Sequence, residues 1–185
     1  SRLIDRPLRP LFAEHYLQEV QIFAFLLSSN NEVQPDVVAL IGAAAALELA
    51  RLPVLGTIGA VRIGCDEQDQ WTVNPADKDT GKLDLVVAGT ADSIMMVEAK
   101  AQQIDESRMA EALEFAQTQI AKVVTGIKEF CDLAPKVEPY VLAEVGEDQD
   151  FWSGPIDQAL AQSDLWKKLT DTPTTKVERT AIVGK

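Results

Sequence analysis

Cysteine and histidine, the side chains that most often carry metal or redox chemistry, are scarce in this chain of 185 residues. The two cysteines, Cys65 and Cys131, do not have CxxC spacing, so the sequence predicts buried free thiols in a reducing compartment. His15 is the only histidine. As a general base it would need a nucleophile or a metal beside it, and no neighbouring residue qualifies, so a surface or capping role is expected.

Long apolar runs and an excess of basic residues are also missing. No stretch is long and apolar enough to cross a bilayer, and the charged first residues are not those of a signal peptide, which predicts a cytoplasmic protein. A formal net charge of -12 excludes a broad basic face that would bind nucleic acid without regard to sequence. Any contact with RNA must therefore be local. The alternative meaning of the acidity is solubility alone.

Positive charge is nevertheless concentrated in the opening stretch, where Arg2, Arg6 and Arg9 accompany a single acid, Asp5. On a helix their spacing places the three guanidinium groups on one face, where they would form a candidate RNA or phosphate site. Prolines in this stretch predict that the helix ends near Asp5 and that the chain continues from there in an extended conformation. The alternative is that Arg6 pairs with Asp5 or a neighbouring carboxylate and only tethers the segment.

Two apolar segments follow. Val20 to Ser28 is apolar on both faces, which predicts a central strand covered on both sides. Val37 to Ala50 carries Glu48 as its only charge and predicts a helix that is buried nearly all round. Gly42 inside that helix indicates either close approach of another backbone or simple tolerance.

The middle of the chain predicts two hairpins and a long amphipathic helix. Gly89 is expected to supply an unusual dihedral angle in the second hairpin, Asp105 to cap the long helix, and Phe130 to lie on its apolar face. The predicted strands are Ile58 to Cys65, Trp71 to Val73, Leu83 to Ala88 and Ile94 to Ala99, and the long helix runs from about Glu106 to Cys131. A linker follows from Ala134, then a short helix from Pro155 to Leu169 and the start of another from Lys176 to Lys185.

With its predicted strands and helices in this order, the chain resembles the ribonuclease PH family. Within that family it resembles the first of the two such domains of bacterial polynucleotide phosphorylases. The motifs that carry the resemblance are Arg2 to Phe12, Pro35 to Ala39 with Ile41 to Ala43, and Lys82 to Thr90. The fold implied is α+β: a ribonuclease PH-like sheet packed with helices, followed by an all-α segment. The expected divisions are 1–57 as the C-terminal part of the first domain, 58–134 as the C-terminal-like subdomain, and 135–185 as the linker and the start of the helical domain.

The resemblance implies a phosphorolytic, Mg²⁺-dependent 3'-to-5' exoribonuclease of mRNA turnover, which in reverse polymerises nucleoside diphosphates. It implies RNA, inorganic phosphate and nucleoside diphosphates as ligands, a homotrimeric ring around an RNA channel, and RNA-degradosome proteins as partners. Neither a membrane nor DNA is expected as a partner.

The chain departs from the family's active pattern. Val33 to Asp36 stands where an active copy has a Gly-Ser-Ser type phosphate loop, and proline cannot donate a hydrogen bond to an anion that an aspartate would repel. Of the metal-binding aspartates only Asp84 is retained, with Lys78 near the place of the other and Val86 in that of the active-site lysine. No catalytic residue is therefore expected here, and the Mg²⁺ site of the full-length enzyme is expected to lie outside this chain.

Three aspartates that lie close together in the sequence form another candidate metal site. Asp77, Asp79 and Asp84 could gather a hard cation, but Lys78 and Lys82 interleave with them, so a solvated loop is expected instead.

The resemblance further implies that the first strands of the domain precede Ser1, so the chain is expected to be a fragment of a longer enzyme. A purely structural or interaction module, whose arginines never meet RNA, is the competing hypothesis. The three tryptophans, Trp71, Trp152 and Trp166, could stack on bases, although core packing is the ordinary explanation for Trp71 and Trp166.

Overall fold

The described residues contain an antiparallel sheet of four strands, in the order β2-β1-β3-β4. The structure is a computed structural model, and it describes residues 2–30, 32–66, 68–75, 81–142, 153–162, 175–176 and 180. The strands are β1 (Gly59–Cys65), β2 (Trp71–Val73), β3 (Leu83–Gly89) and β4 (Ile94–Ala101). The helices are α1 (Arg2–Leu8), a 3₁₀ turn (Arg9–Leu11), α2 (Pro35–Leu49), α3 (Glu106–Asp132) and α4 (Ser153–Gln162).

Alternation along β1 and β3 divides the core between the two faces of the sheet. One face packs against α3 through residues such as Ile63, Leu85 and Ile120, and the other packs against α1 and α2 through residues such as Ala60, Ala88 and Leu40. This layering of helices on both faces of an antiparallel sheet confirms the predicted α+β class.

Contacts divide the chain into two units, Ser1–Leu142 and Ala143–Lys185. Within the first unit, residues 135–142 return to the end of α2, where Tyr140 N donates to Arg51 O at 3.1 Å and Arg51 Nη1 donates to Val137 O at 3.1 Å. The predicted linker is therefore partly anchored. The predicted acidic run from Glu144 to Asp150 lies outside the described residues.

Both predicted hairpins and the long helix are confirmed, with boundaries that differ by at most two residues from those predicted. Asp105 precedes α3 as expected, but its side chain makes no capping hydrogen bond. The short helix is described over Ser153–Gln162 and begins two residues before the predicted start, while residues 163–169 and most of Lys176 to Lys185 lie outside the described residues.

Five predictions about local structure are wrong, the last of them the burial of helix α2. Helix α1 continues through Pro7 to Leu8: the proline removes one hydrogen bond of the helix, and Pro7 and Leu8 are both buried there. Gly89 has no positive φ; a Cβ there would lie 2.2 Å from Ser93 O, so the glycine is required by close approach of the turn. Phe130 is 57% exposed, because the buried stripe of α3 runs through Ala116, Ile120 and Val124 instead.

The fourth concerns Val20 to Ser28, which forms neither helix nor strand and is mostly exposed, with Phe23 at 72% and Leu27 at 94%. A strand needs a neighbouring ladder, and none of the four described strands pairs with this segment. Its apolar residues face a groove of about 870 Å³ beside α2, where Val38 and Gly42 are also exposed. Helix α2 is therefore open on one side and not buried nearly all round.

Candidate functional site

A buried arginine marks the polar end of the sheet face that packs against α2. Arg62 lies in β1 on the same face as Ala60, and its side chain is 5% exposed. Its Nη2 donates to Asp36 Oδ2 at 2.6 Å, and its Nη1 donates to Asp84 Oδ1 in a very close contact. One guanidinium therefore joins the start of α2 to strand β3 across the interior of the protein.

The backbone around Arg62 is fixed by the residue that follows β2. Asn74 N donates to Arg62 O at 2.7 Å, and Arg62 N donates to Asn74 Oδ1 at 3.1 Å. Asn74 has a φ of 50°, a left-handed conformation that asparagine tolerates better than most residues. At the start of α2, Asp36 Oδ1 also accepts a hydrogen bond from Val37 N at 2.8 Å. Arg62 and its partners thus form a network with several fixed points, called the Arg62 network below.

Burial of the Arg62 network makes the loss of any one of its charges costly. Asp84 is 17% exposed and Asp36 34% exposed, and Arg62 Nε is buried without a hydrogen-bond partner in the described structure. Removing a charge of either sign would leave its partner buried and uncompensated, which is costly. Both carboxylates are therefore held by an internal cation.

The Arg62 network does not fit the Mg²⁺ that the family resemblance implies. A magnesium site needs carboxylate oxygens that are free to face the ion, whereas Asp36 and Asp84 each direct an oxygen at the guanidinium. Within the described residues there is also no group of three or more His, Cys, Asp or Glu that could hold a metal. The residues Asp77, Lys78 and Asp79 lie outside the described part of the chain.

A second, more exposed set of charges lies on the same sheet face, toward β4. Lys100 is the cross-strand partner of Asp84, and Glu98 is the partner of Val86. Arg6 Nη1 lies 3.6 Å from Glu98 Oε2, with side chains 52% and 57% exposed. This contact links α1 to the outer strand of the sheet.

The other predicted arginines of α1 do not converge on the same point. Arg9 donates to both carboxylate oxygens of Asp5, at 2.8 Å and 2.7 Å from Nη2, while Arg2 is exposed on the first turn. Arg6 and Arg9 therefore face different carboxylates. Both observed pairs are solvent-exposed, and exposed ion pairs contribute only about 0–1 kcal/mol each.

The thiols are protected from ionisation. Burial raises the pKa of Cys65, and the negative charge of Asp69 adds to the effect. Burial likewise raises the pKa of Cys131, with Glu48 adding to it. Cys65 is buried and Cys131 partly so, and neither forms a disulfide. This agrees with the expectation of free thiols.

The remaining candidates are placed as follows. Trp71 packs against the core, and the guanidinium of Arg108 lies 4.1 Å from its ring centre, while His15 is exposed. Trp152 and Trp166 lie outside the described residues. None of the helices described is long and apolar enough to cross a membrane.

Arg62 was missed by the sequence reasoning, although the signal was present. It is the only charged residue of β1, whose seven residues are all buried. A lone charge within an apolar strand must find a buried partner of opposite sign, and Asp84 on the neighbouring predicted strand was available.

Comparison with known proteins gives two findings. Residues 56–119 match the family model described as 3' exoribonuclease family, domain 2. Over 99% of its length the chain is 39% identical to the protein named polyribonucleotide nucleotidyltransferase in Legionella pneumophila strain Corby, and equally to that of strain Paris. The identity to the protein of strain Philadelphia 1 is 38%. The chain spans 23% of the length of these relatives.

Proposed function

Because the chain corresponds along nearly its whole length to a segment of the polyribonucleotide nucleotidyltransferases, also called polynucleotide phosphorylases, we propose that it is a non-catalytic part of such an enzyme. The proposed enzyme degrades RNA from the 3' end with inorganic phosphate and releases nucleoside diphosphates. In this proposal the segment contributes to the assembly of the enzyme and to contact with RNA.

The Arg62 network is the observation that supports a non-catalytic role. Phosphorolysis requires hydrogen-bond donors for the attacking phosphate and a cation that neutralises charge on the bridging phosphate. The side chains of Asp36 and Asp84 supply negative charge, and the one guanidinium between them is already bound to both. Pro35 at the start of α2 supplies no backbone donor.

A phosphorolysis assay tests the proposal. The purified 185-residue chain, checked for folding by circular dichroism, is incubated with a 3'-ended RNA, inorganic phosphate and Mg²⁺. We expect no nucleoside diphosphate above background, while the full-length enzyme under the same conditions releases it. Phosphate-dependent release by the isolated chain would refute the non-catalytic role.

We further propose that Arg2, Arg6 and Arg9 contact RNA phosphates in the full-length enzyme. All three are exposed, and phosphate suits the planar fork of a guanidinium. The present partners Asp5 and Glu98 hold Arg9 and Arg6 only by exposed pairs, which a phosphate could replace at little cost. The competing function, a purely structural module, is favoured by the same two pairs.

Substitutions in the full-length enzyme separate these functions. Arg6→Gln with Arg9→Gln should reduce RNA affinity several-fold and leave the melting temperature and oligomeric state unchanged. Asp5→Asn is the matched opposite change, because it releases Arg9 and should increase RNA affinity. If both variants lose stability or assembly while RNA affinity is unaltered, the structural module is the correct function.

The further properties implied by the family belong to the same proposal. The full-length enzyme is proposed to be a cytoplasmic homotrimer with RNA-degradosome partners, and its Mg²⁺ site to lie outside this chain. The poor fit of the Arg62 network to a metal supports that last point.

A further inference from the structure

Residues 135–142, called the strap below, lie against the end of helix α2. They form neither helix nor strand. Arg51, the second residue after α2, holds them at two places. Its carbonyl oxygen accepts a hydrogen bond from Tyr140 N at 3.1 Å, and its Nη1 donates to Val137 O at 3.1 Å. One residue therefore binds the first part of the strap through its side chain and the later part through its backbone.

The conformation of Arg51 indicates that its side chain is needed there. Its φ is 50°, in the left-handed region, and its backbone N donates to Glu48 O at 3.1 Å, as the residue that follows a helix C-cap commonly does. Glycine is favoured at this position, because an L side chain is strained in that region. The hydrogen bond to the strap gives a physical reason for an arginine at this place.

An aromatic contact adds to the two hydrogen bonds. The ring of Tyr140 meets the ring of Tyr16 edge to face, with centroids 5.2 Å apart, and Tyr16 stacks on Phe12 at 5.4 Å. Such pairs are favourable beyond the area that they bury. Ala13 N donates to Pro53 O at 3.3 Å, so the segment that carries these two rings is itself bound to the residues after α2. Three segments of the chain therefore meet at this point.

The start of the strap is not packed against the core. A cavity of about 270 Å³ lies between it and the ends of α2 and α3, and its lining includes the charged residues Glu48, Lys128 and Asp132. A polar space of this size can hold water, which can replace the hydrogen bonds of the strap when it moves away. A segment held by a few directed contacts is typical of those that open locally while the rest of the fold stays closed.

We propose that the strap has an attached and a released state, and that Arg51 is the positioning residue that holds it attached. In the attached state, the chain leaves the end of α2 after Tyr140, beside Tyr16. In the released state, residues 135–140 become part of the tether to the unit Ala143–Lys185 and lengthen it by roughly 20 Å. The strap thus sets the reach of the chain that follows. All these contacts lie within one chain, so they are compatible with the proposed homotrimer.

Amide hydrogen exchange of the full-length enzyme tests the role of Arg51 with every surface of the assembly in place. Tyr140 N–H is the readout, because its bond goes to the backbone of Arg51 and not to the side chain. Arg51→Gly removes the side chain and relieves the left-handed conformation. We expect a melting temperature at least as high as that of the natural enzyme, with exchange at Tyr140 at least fivefold faster and exchange at Ile120 in the core of α3 unchanged.

Two results of the exchange experiment would overturn the proposal. Unchanged exchange at Tyr140 would mean that the side chain of Arg51 does not hold the strap as one unit. Equal acceleration at Tyr140 and Ile120 would mean that the whole fold opens and that the strap has no released state of its own.

Trypsin provides a second readout, because the bond after Lys136 lies within the strap and the protease must draw that segment into its own site. We expect this bond of the full-length enzyme to be cut at least fivefold faster in Arg51→Gly than in the natural protein. Lys128→Ala is the control, since this residue lines the same cavity and its loss should leave the rate unchanged. Equal rates in the natural protein and Arg51→Gly, including no cleavage of either, contradict a released state that Arg51 controls.

Discussion

At the scale of single residues, Arg62 has the largest consequences. Its position in a wholly buried strand makes the charge costly unless it is paired, and the structure pairs it twice. That no residue of this chain is catalytic stays a prediction from the sequence. The pairing of Arg62 with Asp36 and Asp84 was not predicted, because these contacts join residues 26 and 22 positions apart in the chain.

Arg62→Met should strongly destabilise the fold. Two carboxylates would lose their internal cation, and breaking a buried pair costs about 3–5 kcal/mol. The loss of stability in Arg62→Met should lie near the lower limit of this range, because the side chain of Asp36 is one-third exposed. Urea unfolding of the purified chain gives the free energy.

The control for this change neutralises the acids as well. If the network is the cause, Arg62→Met combined with Asp36→Asn and Asp84→Asn should regain part of the loss. A single variant as stable as the natural chain would mean that Arg62 is not held as described.

The raised pKa of the Cys65 thiol predicts a loss of stability in alkali. The folded chain holds the thiol proton more tightly than the unfolded chain does, so this contribution is complete below the ordinary thiol pKa. It disappears as the pH rises through the elevated folded value. The free energy of unfolding should therefore fall more steeply with pH above about 8.5 than it does in Cys65→Ala. Parallel curves for the two proteins would show that the thiol does not titrate this way.

At the scale of elements, the local sequence pattern was sufficient to predict an element when the element that it packs against is also close in sequence. The two hairpins and α3 follow from alternation, turn residues and a regular apolar stripe, and all three are confirmed. Val20 to Ser28 and the open side of α2 were predicted wrongly for one shared reason. An apolar pattern shows that a surface favours burial, but it does not show that the described chain supplies a cover.

Glycines in the helices give a test at this scale. A Cβ at Gly42 in α2 would have no atom within 4 Å, and the same holds for Gly126 in α3. Replacement of either by alanine should therefore stabilise the fold by about 0.5–1 kcal/mol, because alanine favours the helix. Gly59→Ala is the contrasting change: its Cβ would lie 3.1 Å from Ile120 O, so we expect destabilisation. Thermal unfolding distinguishes these outcomes, and a destabilising Gly42→Ala would indicate that another backbone does approach α2.

At the scale of the whole molecule, the chain spans 23% of the length of the relatives that it matches. The similarity to these relatives could be recognised from three motifs, because their residues are specific in order and spacing. The site was less predictable. The sequence placed Arg2, Arg6 and Arg9 on one face, but the fold supplies Asp5 and Glu98 as separate partners, and Glu98 lies far away in the sequence. The proposed contact with RNA requires that these exposed ion pairs give way to phosphate.

The internal guanidinium of Arg62 holds both Asp36 and Asp84, which leaves neither carboxylate free for a metal ion or a phosphate. A crystal structure of the chain grown with Mn²⁺ and phosphate, with anomalous scattering used to locate the metal, tests it most directly. We predict Arg62 between Asp36 and Asp84, with neither manganese nor phosphate bound to either carboxylate. An ordered phosphate with a manganese ion coordinated by Asp36 or Asp84 would contradict the account.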